Sequence, residues 1–267
     1  MPLAVCATPI GNLDDVTLRL LEELRSADVI LCEDTRHTRV LLDRHGISGA
    51  KLLSYHEHNE SKRTVEMLPR LEAGERLALV SDAGMPGISD PGARLVEAAL
   101  ERGVPVTVLP GATAVDTALV ASGFAGDRYQ FVGFLPRAAG ALASLWRELA
   151  GWAYPVVAFE SPKRLPATLR SLADQLPARE VAVCRELTKK FEEVVRGPAG
   201  EVAARFAEPP KGEITLVLGP GGEERDATAA VEAVAELVAA GVPRRQAADV
   251  VSRLTGASRN ELYRRTL

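Results

Sequence analysis

The run Leu77-Ala78-Leu79-Val80-Ser81-Asp82-Ala83-Gly84-Met85-Pro86-Gly87-Ile88-Ser89-Asp90-Pro91-Gly92 leads into Ala93–Arg102, which stops at Gly103. Four apolar residues read as a strand, the Gly- and Pro-rich stretch as a loop, and Ala93–Arg102 as a helix. The same order recurs on both sides. Upstream, Leu3–Ala7 ends at the turn Thr8-Pro9-Ile10-Gly11-Asn12. Leu18, Leu21 and Leu24 then recur at helical spacing behind Asp14 and Asp15. Val29–Cys32 and Leu52–Tyr55 read as strands, Thr38–His45 and Ser61–Glu72 as helices. Downstream, Val106–Leu109 runs into Pro110-Gly111. Strands alternating with helices predict an α/β domain with a largely parallel sheet.

A second set follows a boundary near Pro110–Gly126. Strands are predicted at Gln130–Phe134, Val156–Phe159, Val181–Cys184 and Ile214–Leu218, with helices at Gly140–Trp152 and Leu165–Gln175. Pro209-Pro210-Lys211-Gly212 reads as a loop before the last strand. The expected organisation is an N-terminal α/β domain over 1–112, a second over 113–220, and a helical tail over 225–267. Gly219-Pro220-Gly221-Gly222-Glu223-Glu224 has linker composition. In the tail, Ala227–Ala240 reads as a helix ending at Gly241, and Pro243 as the first turn of a second helix that ends near Thr255-Gly256. Ser258-Arg259-Asn260-Glu261 matches the capping-box pattern of a third. The spacing is that of a helix-turn-helix.

At roughly 150 residues per domain, 267 residues suit one large domain or two modest ones. Hydrophobic residues are 46% and charged residues 25%, an ordinary globular balance that excludes a disordered chain. No apolar run approaches the ~20 residues of a membrane span, and no signal peptide is read at Met1-Pro2-Leu3-Ala4-Val5-Cys6. Cys6, Cys32 and Cys184 are odd in number, lie in strand-like runs and form no CxxC, so a disulfide framework is not expected. A reduced, cytoplasmic protein is. The net charge of −4 argues at first against nucleic acid. The average hides a patch: Arg244, Arg245, Arg253, Arg259, Arg264 and Arg265 stand against Asp249 and Glu261, a local +4. Subtracting that from −4 leaves −8 on the remaining chain.

The loop Ser81–Gly92 follows a strand, where open α/β sheets hold their ligands. Its glycines allow close backbone approach, and Asp82 accepts hydrogen bonds from hydroxyl or amino groups. Pro110-Gly111-Ala112-Thr113-Ala114 lies after the next strand. The first loop reads equally well as a tight connection that needs Gly and Pro for geometry, and for the second that is the better reading. The chain has no GxxxxGK[ST], no GxGxxG after the first strand, no HExxH and no GxSxG. His56-Glu57-His58 alternates as metal ligands on a strand would, but without further ligands a solvated loop is the better reading.

Six motifs occur in one order: Thr8-Pro9-Ile10-Gly11-Asn12, Glu33-Asp34-Thr35-Arg36-His37-Thr38, Ser81–Pro86 with Asp90-Pro91-Gly92, Gly133-Phe134-Leu135-Pro136, Phe159-Glu160-Ser161, and Arg185-Glu186-Leu187-Thr188-Lys189. Together they resemble the ribosomal RNA small subunit methyltransferase I family, within the tetrapyrrole-methylase-like superfamily of S-adenosylmethionine (AdoMet) enzymes. The resemblance covers about residues 3–220 and extends to the helical tail. It implies two α/β domains of tetrapyrrole methylase type with AdoMet in the cleft between them, and a homodimer. It implies methylation of a cytidine ribose 2′-hydroxyl (cytidine 1402) in 16S rRNA of the small ribosomal subunit, with no metal. Carried onto matching positions, the AdoMet contacts are Pro9, Asp82, Gly84, Met85, Thr113, Ala114, Glu160, Leu187 and Ile214. Tetrapyrrole methylases carry Gly-Asp-Pro where this chain has Ser81-Asp82-Ala83, a departure that points away from porphyrin-type substrates.

A methyl transfer of this kind aligns oxygen, carbon and sulfur, and positioning supplies much of the rate. The hydroxyl needs a proton acceptor. Glu33, Asp34, His37 and Glu186 are candidates in motif loops, and Lys189 would lower the hydroxyl's pKa by its charge. Arg36, Lys163 and Arg185 suit phosphates, as do Arg244, Arg245, Arg259 and Arg264 in the tail. The alternatives are loop-bridging ion pairs of Asp34 with Arg36 or Arg185 with Glu186, and a solvated face or a dimer contact for the tail, with phosphate contact the favoured reading of the tail. An aromatic content of 4% argues against base stacking as the main RNA contact. Two other readings stand beside this one: a tetrapyrrole-type small-molecule methylase, and a non-catalytic RNA-binding ribosome-assembly factor.

Overall fold

The computed structural model describes residues 2–221, 224–255 and 257–267. The first half runs β1 (Leu3–Cys6), α1 (Leu18–Ser26), β2 (Val29–Cys32), α2 (Thr35–Arg44), β3 (Lys51–Ser54), α3 (Glu60–Glu72), β4 (Leu77–Val80), α4 (Ala93–Glu101) and β5 (Val106–Leu109). Its five strands are all parallel, in the order β3-β2-β4-β1-β5. β1, β2 and β4 are buried at every position because helices cover both faces. Ala4, Cys6, Ile30, Cys32, Ala78 and Val80 face α1 and α2 through Leu20, Leu24, Leu41 and Leu42. Leu3, Val5, Val29, Leu31, Leu77 and Leu79 face α3 and α4 through Met67, Leu71, Leu95 and Ala99. That alternation is the two-residue period of a strand. Helix α2 starts three residues before the expected Thr38, because the Asp34 carboxylate caps it by accepting the Arg36 N–H at 2.8 Å.

The second half runs α5 (Ala114–Ala121), β6 (Gln130–Phe134), α6 (Ala139–Leu149), β7 (Val156–Glu160), α7 (Leu165–Gln175), β8 (Glu180–Arg185), β9 (Glu193–Pro198), α8 (Ala199–Arg205) and β10 (Ile214–Leu218). The sheet order is β6-β7-β10-β8-β9. Only β6 and β7 are parallel, while β10 runs against both neighbours and β9 against β8. Helices α6, α7 and α8 cover one face through Trp146, Leu169 and Val202, and α5 covers the other through Ala118 and Leu119. Elements α5, β9 and α8 are additions to the sequence reading. Strand β9 is a half-exposed edge whose Glu193, Arg196, Gly197 and Pro198 break the apolar run expected of a strand. The eight residues of α5 are mostly small and apolar, without a clear polar face.

The tail consists of α9 (Glu224–Ala239), α10 (Arg244–Thr255) and α11 (Arg259–Arg265), with its own core of Ala230, Val234, Ala247, Ala248, Val251 and Leu262. Pro243 precedes α10, its carbonyl accepting the Gln246 and Ala247 N–H groups at 2.8 and 2.9 Å. Ser258 occupies the N-cap of α11, but its hydroxyl makes no capping bond there. The expected capping box is therefore not formed on the serine side. Among the described residues no helix is long and apolar enough to cross a membrane. The three cysteines are buried and free, and burial pushes the Cys6 and Cys184 thiols up to about 12.

Candidate active site

In the first half, the residues that follow β1, β2, β4 and β5 gather at one edge of the parallel sheet: Ile10, Glu33, the loop from Asp82 to Asp90, and Thr113. Parallel strands end together, so their carboxyl-terminal loops meet. The second half meets this edge with the ends of β7 and β8. Because β10 is antiparallel to both, its first residue, Ile214, lies level with Glu160 and Arg185. The two edges enclose a cleft of about 740 Å³. Tyr129, Phe131, Phe134 and Phe159 line it, four of the ten Phe and Tyr side chains in the chain. The low average aromatic content therefore understates what this cleft holds. Phe159 meets Phe131 and Phe134 edge to face at 5.0 and 5.4 Å, and Phe134 is 61% exposed.

The β4–α4 loop is held from both sides. Thr8 and Gly84 exchange backbone hydrogen bonds at 2.9 and 3.1 Å, and the Thr8 hydroxyl donates to the Ser81 carbonyl at 3.1 Å. Gly92 has φ +140, and a Cβ there would stand 3.0 Å from Leu79 Cδ2 and 3.2 Å from Gly87 N, so only glycine fits. Glu33 accepts the Asp82 N–H at 3.2 Å and Asp82 accepts the Asp34 N–H at 3.1 Å. Burial raises the Glu33 carboxyl above its ordinary range, against the lowering effect of the Asp82 N–H. Ser89 adopts φ +62, a left-handed conformation costly for a non-glycine residue. At Gly133, beside the bulge of β6, an added Cβ would sit 3.5 Å from the Ser89 hydroxyl, so this loop reaches the opposite half.

Asp82, Gly84, Met85, Thr113, Ala114, Glu160, Leu187 and Ile214 all line the cleft, whereas Pro9 is buried beside its lining residue Ile10. The Glu160 side chain is fully buried and accepts from the Thr168 hydroxyl at 2.5 Å and the Ser161 N–H at 2.7 Å, with Arg164 at 3.3 Å. Of the candidate catalytic residues, only Glu33 lines the cleft. Asp34 is paired with Arg36 at 2.6 Å, and that guanidinium holds its carboxyl well below the usual range. His37 is exposed on the first turn of α2. Lys189 bonds Glu186 at 3.1 Å and Glu213 at 2.8 Å. Burial works against the charged form of Glu186, yet the Glu213 N–H and Lys189 leave its carboxyl lowered. Lys189 lies on a smaller groove with Gly11, Asp14, Arg44, Thr188 and Lys190.

Among the expected phosphate contacts, Arg36 and Lys163 are exposed near the ends of β2 and β7. Arg185 pairs with Glu193 at 3.1 Å, not with Glu186, because the β8–β9 register sets those two residues opposite. Arg244 and Arg245 stand on α10, Arg259 and Arg264 on α11, outside the cleft lining. His56 and His58 lie in the turn after β3, and among the described residues no group of three His, Cys, Asp or Glu suits a metal ion. Two parts of the cleft were missed in the sequence: Asp90 and the aromatic group. Asp90 stood in the Asp90-Pro91-Gly92 motif and Phe134 in Gly133-Phe134-Leu135-Pro136, but neither was given a role, while Tyr129 and Phe131 belong to no motif.

This pair of α/β halves around one cleft is shared with the tetrapyrrole (corrin/porphyrin) methylases, whose family model matches residues 2–203. A second model, described as the RsmI C-terminal HTH domain, matches residues 225–267. Uroporphyrin-III C-methyl transferase from Thermus thermophilus, solved in complex with S-adenosyl homocysteine, has a TM-score of 0.57 at 20% identity, covering 81% of this chain and 96% of that one. Ribosomal RNA small subunit methyltransferase I of Mesorhizobium japonicum is 42% identical over 268 residues, 99% of this chain and 91% of that protein. Its Thermotoga maritima namesake is 46% identical over 217 residues, 81% of this chain and 97% of that protein. The chain belongs to the ribosomal RNA small subunit methyltransferase I family of this methylase superfamily.

Proposed function

We propose that this protein transfers a methyl group from AdoMet to the ribose 2′-hydroxyl of a cytidine in 16S rRNA, the position being cytidine 1402 by family resemblance. The observation that carries the reading is the convergence on one cleft of eight of the nine expected AdoMet positions, Pro9 being the exception. The cleft lies in the range of small-molecule and cofactor sites and combines apolar walls with a few polar groups. Backbone groups of the Asp82–Met85 loop and of Thr113-Ala114 would hold the polar parts, and Leu187 and Ile214 the apolar ones. When bound, AdoMet supplies an electrophilic methyl on a positive sulfur. The chain's own work is to hold the hydroxyl in line, to exclude water, and to accept one proton.

The arginines of α10 and α11 provide phosphate contacts on this reading. The partner is 16S rRNA or the small subunit, in the cytoplasm. A homodimer is part of the same proposal: Val108 on the edge strand β5 and Val120 on α5 are 53% and 69% exposed, apolar side chains that a second copy would cover. The test is mapping of ribose methylation in small-subunit RNA, naked and assembled, after incubation with purified protein and AdoMet. A new 2′-O-methyl cytidine is expected. No modified ribose under either condition, or AdoMet failing to bind by calorimetry, overturns the reading.

A further inference from the structure

We propose that Phe134 and Ile88, one from each half of the protein, grip the base of the nucleotide whose ribose is methylated; this rests on the ribose methylation proposed above. They are the most exposed large apolar side chains of the cleft lining, at 61% and 53%. Neither stands among the positions expected of AdoMet, so this part of the wall is left for the second substrate.

The backbone is built to bring Phe134 there. Along β6, Val132 packs on the core covered by α6, α7 and α8, and Phe131 on the core covered by α5. Plain alternation would send Phe134 to the Val132 side. In the ladder with β7, however, Phe131 stands opposite Val157 and Phe134 opposite Phe159, so β6 holds one residue more than its partner. Gly133 absorbs it at φ +66, a left-handed conformation. Such a bulge re-aims a side chain, and bulges of this kind collect beside active sites. Phe134 is turned to the Phe131 side, where it rests on Phe159 with 5.4 Å between ring centres and most of its surface free. Arg164 donates to the Leu135 and Pro136 carbonyls at 3.0 and 2.7 Å and fixes the turn that follows.

Ile88 arrives from the loop after β4. It precedes Ser89, whose hydroxyl lies 3.5 Å from where a Gly133 Cβ would stand. Phe134 and Ile88 are therefore each one residue away from a point where the two halves touch. Arg137 and Lys163, exposed after β6 and β7, make no ion pair among the described residues and are free to meet phosphates. An aromatic face beside unpaired cations suits a nucleotide. The ribose carbon that carries the base adjoins the carbon that carries the 2′-hydroxyl, so a hydroxyl held in the cleft brings its own base to this wall. Phe134 stacks on one face of that base and Ile88 covers the other.

The test is a cycle of RNA binding by the whole chain in the presence of S-adenosyl homocysteine. Two small-subunit RNAs are compared, one with cytidine at the target position and one with an abasic ribose there that keeps its 2′-hydroxyl. Phe134→Ala should weaken binding of the cytidine RNA about tenfold and of the abasic RNA by less than about threefold, the difference reporting contact with the base. Ile88→Ala should show the same pattern with a smaller loss. Phe134→Trp keeps a stacking face and should bind the cytidine RNA within about threefold of wild type, and AdoMet affinity by calorimetry should change no more than that in any variant. Equal losses on the two RNAs, or unchanged binding by Phe134→Ala, overturn the assignment and leave the wall to another partner, such as a second copy of the chain. A loss of AdoMet affinity as large as the loss of RNA affinity overturns it too, placing the ring on the cofactor. So does wild-type protein that binds both RNAs equally, a result that needs no variant to fold. If the wild type methylates no ribose at all, the proposed function itself fails, which is a separate outcome.

Discussion

The Glu33 carboxylate accepts the Asp82 N–H at 3.2 Å, and the Asp82 carboxylate accepts the Asp34 N–H at 3.1 Å. This reciprocal pair ties the loop after β2 to the loop after β4 on the floor of the cleft. Asp82→Ala removes one acceptor and leaves the Asp34 amide unpaired, a cost of about 1–3 kcal/mol. We expect a lower melting temperature and AdoMet affinity reduced about tenfold by calorimetry. Asp82→Asn keeps an acceptor oxygen and should retain most of the stability. Unchanged affinity in the alanine variant would show that the loop does not contact AdoMet.

At Gly11 the two halves meet closely. A Cβ there would lie 2.5 Å from Lys189 Cγ and 2.8 Å from both the Leu187 carbonyl and Thr188 Oγ1. Gly11→Ala must therefore push apart two loops, one of which is bonded through Asn12 N–H to Thr188 Oγ1 at 2.9 Å. Destabilisation of about 1–3 kcal/mol is expected from overpacking. In contrast, Gly140 lies near the start of α6 with nothing within 4 Å of its added Cβ, and Gly140→Ala should stabilise by about 0.5–1 kcal/mol. Thermal melts of both variants provide the comparison.

Asp90 makes stability depend on pH. Its folded-state value of about 7 lies above the ordinary 3.8, so the folded chain binds this proton more tightly than the unfolded one. Its favourable contribution is full below about pH 4 and is lost as pH rises through about 7. Asp90→Asn cannot ionise, so it should melt higher than wild type at pH 8, with the gap closing towards pH 4. An equal or lower melting temperature at pH 8 would contradict the desolvated setting of this carboxyl.

The tail offers an electrostatic test. Arg253 and Arg259 both approach Asp249 at 3.7 Å, whereas Arg245 and Arg264 are exposed and make no ion pair with the described residues. If these two meet phosphates, the Arg245→Ala, Arg264→Ala double variant should bind small-subunit RNA more weakly. Its log–log salt dependence should be shallower by about 1–2 units, since each lost phosphate contact removes about 0.7–0.9. A slope identical to wild type would assign the tail to packing or to another partner.

Much of the first half could be read from local pattern. β2 and β4 are continuous apolar runs because both faces are covered, and each is followed by a polar loop and an amphipathic helix. The second half was harder. Strand β9 is charged and half exposed, and only its pairing with β8, with Val195 packed on the core and Glu193 paired with Arg185, makes it a strand. In the site, motif residues such as Asp82, Thr113 and Leu187 were named from sequence and line the cleft. Asp34 and Glu186 looked just as available, yet their charges are held by Arg36 and Lys189.

The element order of the first half, the division into two α/β halves, a separate helical tail and its concentration of arginine are all written residue by residue, since strand period, helix period and charge are local properties. The particular form of the cleft is not. Glu33, Asp82 and Asp90 come from distant or differently turned parts of the chain, and the aromatic wall comes from β6 and β7. Whether a carboxylate is paired, solvated or crowded by like charges depends on which loops close over it. Desolvation and Coulomb interaction act through space, so the same residue type became a loop clamp at Asp82 and an unpaired, weakly acidic carboxyl at Asp90 only when the fold brought them together.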